Sequence, residues 1–135
     1  MKEIVDEIQS AIFALSKIEQ LNTDLPNQQS EIDSKLTDIL HLIENNKLNT
    51  KQCYRAVRLI HELRTERRNI LNSYEIVKQY KTNEAKLQNE GNRQLLLADI
   101  KKNEKRLNNS KYTNRVYSKQ ELLDLIGWKY EWICK

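Results

Sequence analysis

The sequence predicts an all-α fold: a long antiparallel helical hairpin, coiled-coil-like, with two shorter C-terminal helices. Three observations carry that prediction. Only 2 Gly and 1 Pro occur in 135 residues, so little breaks a helix and the turn residues a sheet needs are scarce. Apolar residues recur at alternating steps of four and three from Ile4 to Ile43 and again from Ala56 to Val77, the spacing of a coiled-coil stripe. The composition is polar, 39% hydrophobic and 31% charged, with a mean hydropathy of −0.79. That balance suits an elongated rod better than a compact globule.

The first helix is read from Ile4, Ile8, Ala11, Leu15, Ile18, Asn22, Leu25, Gln29, Ile32, Leu36, Ile39 and Ile43. Asn22 and Gln29 are the polar exceptions. A helix of this length spans about 60 Å. Pro26 lies inside it, and an interior proline removes one hydrogen bond and crowds the carbonyl four residues back. The four-three phase does not slip across Pro26, which predicts one kinked helix rather than two.

The segment Asn45 to Asn49 reads as the turn. Asn49 is the expected N-cap of the second helix, with Gln52 completing a capping box and Leu48 and Cys53 a hydrophobic staple. The second seam runs Ala56, Ile60, Leu63, Arg67, Ile70, Tyr74 and Val77, and Gly91 is the expected C-terminal glycine. A turn centred near residue 47 places Gln29 opposite Arg67, one polar layer that would set register. A third helix is expected over 92–108, with Leu95, Leu96, Ile100 and Leu107 as its apolar contacts. Ser118 and Glu121 form the capping box of a last helix that ends in Trp128, Tyr130 and Trp132. The chain thus divides into a hairpin, 1–90, with helices at about 2–45 and 50–89, and C-terminal helices, 92–135, joined by an extended segment 110–117.

Charge is unevenly spread. Residues 1–50 hold 4 Lys and Arg against 9 Asp and Glu, and residues 51–135 hold 19 against 10. An acidic helix lying against a basic one would account for this internally. The other reading is an anionic partner for the basic half. Two clusters bear on it. Arg64, Arg67 and Arg68 sit on the second helix, and arginine forks bind carboxylate or phosphate in bidentate fashion. Arg106 leads into Tyr112, Asn114, Arg115 and Tyr117, where cations beside stacking rings and an amide suit a nucleotide or single-stranded nucleic acid. A solvated helix face and a packed loop would show the same residues.

Catalytic chemistry finds little support. His41 stands three residues after Asp38, half of a di-iron carboxylate motif, but His61-Glu62 does not supply the other half. Neither cysteine has a histidine at helical spacing. Gly91 and Gly127 cannot make a phosphate loop. All-α nucleotide pyrophosphatases need clustered acidic pairs on two helices, and the second helix here is basic. The expectation is no enzyme, no cofactor and no metal. Cys53 and Cys134 show no framework spacing and read as reduced thiols of a cytoplasmic protein. The N-terminal residues lack the apolar core of a signal peptide. No apolar run approaches the ~20 residues of a membrane span.

Three stretches resemble one type of protein. They are Asp38-Ile39-Leu40-His41-Leu42-Ile43-Glu44, Leu63-Arg64-Thr65-Glu66-Arg67-Arg68 and Tyr112-Thr113-Asn114-Arg115-Val116. Together they resemble uncharacterised small helical proteins of phages and prophages of low-GC Gram-positive bacteria, over residues 30–118. Abundant Lys, Asn and Ile fit an AT-rich genome. The resemblance implies no activity. It implies a protein that acts stoichiometrically on a host or defence component.

The seam is longer than the rest of the chain can cover, so a homo-oligomer, dimer or higher, is expected. The primary expectation is a non-enzymatic, oligomeric binding protein of host or anti-phage defence proteins. Gln29, Trp128, Tyr130 and Trp132 are its candidate interface residues. The alternatives are an oligomer that sequesters a nucleotide signal or nucleic acid through the basic and aromatic residues, and a structural virion or packaging component.

Overall fold

In the computed structural model every described element is a helix. It describes residues 1–111 and 116–133, with side chains described as far as Ile126. Helix α1 runs Lys2–Asn45 and α2 runs Thr50–Thr82. A 3-10 turn, Glu84–Gln88, leads into α3, Glu90–Asn109, and α4 spans Lys119–Ile133.

Helix α1 is unbroken through Pro26. The carbonyl of Asn22 loses its amide partner there, at a cost of up to ~3 kcal/mol. Packing offsets that cost, because Leu25 beside it is 6% exposed. At the far end the Asn46 side chain donates to the Leu42 carbonyl at 2.9 Å, satisfying one of the last free acceptors.

The capping box forms as the sequence predicts. Asn49 Oδ1 accepts from the Gln52 amide at 2.8 Å, and Gln52 Oε1 accepts from the Asn49 amide at 3.0 Å. Cys53 is buried beside it, with its Sγ 3.9 Å from the Leu48 carbonyl.

Leu25, Ile32, Leu63, Ile70 and Val77 bury together, with Ile18, Leu36, Ile39 and Tyr74 packed around them. The buried residues are every seventh one on each helix. The alternate positions, Asn22, Gln29, Ile60, Arg67 and Tyr74, are half-buried. That is why the seam tolerates polar residues: they stand on its wetter row, where their polar ends still reach water.

The expected register is corrected by one helical turn. Arg67 Nε donates to Asp33 Oδ1 at 2.6 Å rather than meeting Gln29, and Lys81 pairs with Glu19. Asp33, not Gln29, therefore faces Arg67 across the two helices. The cause is the linker. Asn46 and Asn49 are both extended, with φ/ψ of −134/143 and −78/170. An extended residue advances about 3.3 Å against 1.5 Å in a helix. The linker therefore carries the chain further past the end of α1 than a compact turn would.

The second helix also ends earlier than its expected limit at residue 89. Asn83 stops it, donating its amide to Tyr80 and its side chain to the Gln79 carbonyl at 2.8 Å. Gly91 is not a C-terminal glycine. It lies in the first turn of α3, which starts two residues before its expected beginning. Asn89 is the cap, accepting from the Gly91 amide at 2.8 Å. A Cβ at Gly91 would sit 3.2 Å from that cap oxygen.

Helix α3 folds back on α2. Arg106 Nη2 bonds Glu75 Oε1 at 2.7 Å, and Asn103 Nδ2 bonds Gln79 Oε1 at 3.0 Å. Leu96 and Leu107 are buried and Ile100 half-buried as predicted, but Leu95 is 65% exposed. Helix α4 opens with the predicted cap, the Glu121 amide donating to Ser118 Oγ at 3.1 Å.

Candidate functional site

The two predicted basic clusters meet different fates. Arg64, Arg67 and Arg68 line one open groove of about 850 Å³ between α1 and α2, together with His61, Thr65 and Asp33. Spacing explains the convergence, since residues three and four apart share a helix face. Asp33 is the one carboxylate on the groove wall, and Arg67 already holds it. Among the described residues Arg64 and Arg68 have no hydrogen-bond or ion-pair partner. The groove is therefore cationic, with two guanidinium groups available to an anion.

Arg106 is engaged differently. It binds Glu75 and also Asn103 Oδ1, at 3.1 Å from Nε and 2.8 Å from Nη2. Its guanidinium holds α3 against α2. Tyr117 is half exposed. Tyr112, Asn114 and Arg115 lie outside the described residues, as do the extended conformation expected there and Cys134. Trp128, Tyr130 and Trp132 fall on α4, but their side chains are outside the described set.

Part of the charge imbalance is absorbed inside the molecule. Glu19 and Asp33 of the acidic helix meet Lys81 and Arg67 of the basic one. The bonds from Glu19 and then Glu84 raise the Lys81 ammonium above its ordinary 10.5. Burial raises the neighbouring Tyr80 phenol above 10.0, with Glu84 adding to it. Arg67 and Asp33 stay 38% and 44% exposed, so such pairs contribute modestly.

A second unmet surface is apolar and lies elsewhere. Residues 1–17 are all exposed. Ile4 is 61% exposed, Ile8 55% and Leu15 46%, with Val5 and Ile12 beside them equally open. The whole chain exposes 11576 Å², against about 7,400 Å² for a compact chain of this mass. None of these residues is among the sites the sequence predicts. The signal is nevertheless there, in two seams of unequal length: the first begins at Ile4, and the second ends at Val77, too early to reach it.

Among the described residues no three His, Cys, Asp or Glu side chains gather as a metal site would need. No described helix is long and apolar enough to cross a membrane. No family model, curated protein or solved structure matches the chain.

Proposed function

We propose that this chain is a non-enzymatic binding protein of phage type. It self-associates and acts stoichiometrically on a host or anti-phage defence protein in the host cytoplasm. The observation that carries the reading is the uncovered apolar face of α1 from Ile4 to Leu15. Contiguous exposed apolar surface is where soluble chains meet partners.

Within this reading α1 and α2 form a coiled-coil-like antiparallel hairpin that serves as a rigid support. The seven-residue spacing of Leu25 and Ile32, and of Leu63, Ile70 and Val77, supports it. The acidic face of α1 and the aromatic end of α4 are the proposed contacts with the host protein, since Trp and Tyr are favoured anchors of interfaces. Native mass measurement of the protein purified from infected host cells tests the proposal. The expected species is an oligomer carrying a fixed ratio of one host protein, lost on Trp128→Ala with Trp132→Ala. A single-chain mass at every concentration would overturn it.

A second reading rests on Arg64 and Arg68. With Arg67, Arg106, Tyr112, Asn114, Arg115 and Tyr117 they would hold a nucleotide or a single strand. Binding through phosphate weakens log-linearly as salt rises. A flat salt response, or unchanged binding after Arg64→Ala with Arg68→Ala, excludes that reading.

A further inference from the structure

We propose that the uncovered seam of α1, from Ile4 to Leu15, pairs with the same seam of a second copy of this chain in antiparallel orientation. Ile4 then stacks on Leu15 of the other copy, and Ile8 on Ala11. This inference deepens the self-association reading and rests on it.

The first argument is continuity. The seam that packs at Ile18, Leu25 and Ile32 continues in the same phase to Leu15, Ala11, Ile8 and Ile4. Only its cover stops. Helix α2 ends at Thr82, where Lys81 reaches Glu19. The chain then turns into α3, which packs on α2 through Arg106 and Asn103. Among the described residues nothing in the chain lies on the first four layers.

Symmetry supplies the second argument. The four layers are separated by steps of four, three and four. That series reads the same in reverse. A two-fold axis between Ile8 and Ala11 therefore matches all four layers in one register, as an isologous interface requires. The flanking row is apolar as well, Val5 and Ile12. On the other flank Glu7 meets Ala14 of the second copy, so no like charges are forced together. The segment carries Lys2 and Lys17 against Glu3, Asp6 and Glu7, which leaves little net repulsion between copies.

Orientation follows from what lies beyond. In the antiparallel arrangement the second α1 runs in the direction of α2 and enters the groove where α2 leaves it. The two copies of α2 then sit at opposite ends of the assembly. A parallel pairing would bring both copies of α2 to the same place at Ile18, where each α1 already turns its seam to its own α2. The segment also needs a partner for local reasons, since an unpacked helix of its length is marginal in water. Four layers make a short interface, near the lower end of the roughly 1,200–2,000 Å² of specific complexes, so dissociation in the micromolar range is expected.

The test uses the full chain. Sedimentation equilibrium over micromolar to submillimolar concentrations is expected to show a monomer–dimer equilibrium. Ile8→Glu places two carboxylates in an apolar seam and is expected to weaken it by about a hundredfold or more. Its unfolding when dilute should be unchanged, because Ile8 is exposed in the single chain. An equal mixture of Ile8→Cys and Ala11→Cys chains is expected to give a disulfide that peptide mass mapping assigns to positions 8 and 11. A single-chain mass at all concentrations overturns this interface and self-association together. An oligomer that resists Ile8→Glu, or that links 8 to 8 and 11 to 11, overturns this interface alone and leaves self-association standing.

Discussion

At Asn49 a single side chain decides where α2 begins, because its oxygen takes the Gln52 amide at 2.8 Å. Asn49→Ala is expected to lower stability by about 1 kcal/mol in denaturant unfolding. Ile32 is the most deeply placed residue of the core at 3% exposure. Ile32→Ala should remove about 2–4 kcal/mol, the sum of lost burial and residual cavity. Lys81 and Tyr80 bear on stability at alkaline pH. Both are raised above their ordinary values, 10.5 and 10.0. A raised group lends its stability in full below the unfolded value and loses it as pH climbs through the folded one. Thermal unfolding should therefore be insensitive to these two groups from neutral pH to about 9, and its midpoint should fall above about pH 10. Lys81→Met should remove part of that fall.

Elements bring the helix breaker and the register into view. Pro26 sits in the middle of α1, so Pro26→Ala restores an amide to the Asn22 carbonyl. Stability should rise, by up to ~3 kcal/mol. No gain in the denaturation midpoint would mean that Leu25 packs in α1 only with the proline beside it. The register of α2 on α1 was open to sequence reasoning only to within a turn. The phase of each seam was legible, since Leu25, Ile32, Leu63, Ile70 and Val77 all stand on predicted positions. The offset between the seams depends on how far four linking residues travel, and an extended Asn46 and a compact one are equally compatible with the same letters. Helix ends behaved likewise. Asn49 and Ser118 carry local signals that need no tertiary context. Asn83 competes with Gly91 as a stop, and packing of α3 on α2 favours the earlier one.

For the molecule as a whole, the interhelix pairs Arg67–Asp33 and Lys81–Glu19 mean that net charge overstates the cationic surface. Half-molar salt should therefore change the stability of the α1–α2 pair by less than about 1 kcal/mol, because exposed pairs are weak and easily screened. Salt-dependent binding of an anion would then report Arg64 and Arg68, the two groove cations left without a partner among the described residues.

What the sequence determined by itself is the helical class, the two seams and the caps at Asn49 and Ser118. These are local matters of spacing and of side chains that reach their own backbone. Tertiary structure alone decided which acid meets Arg67, where α2 stops against α1, and so how much of the seam stays in water. Those are distances between elements, and no periodicity within an element encodes them. The unpaired stretch from Ile4 to Leu15 follows from that mismatch of lengths, and it is the surface on which the proposed assembly depends.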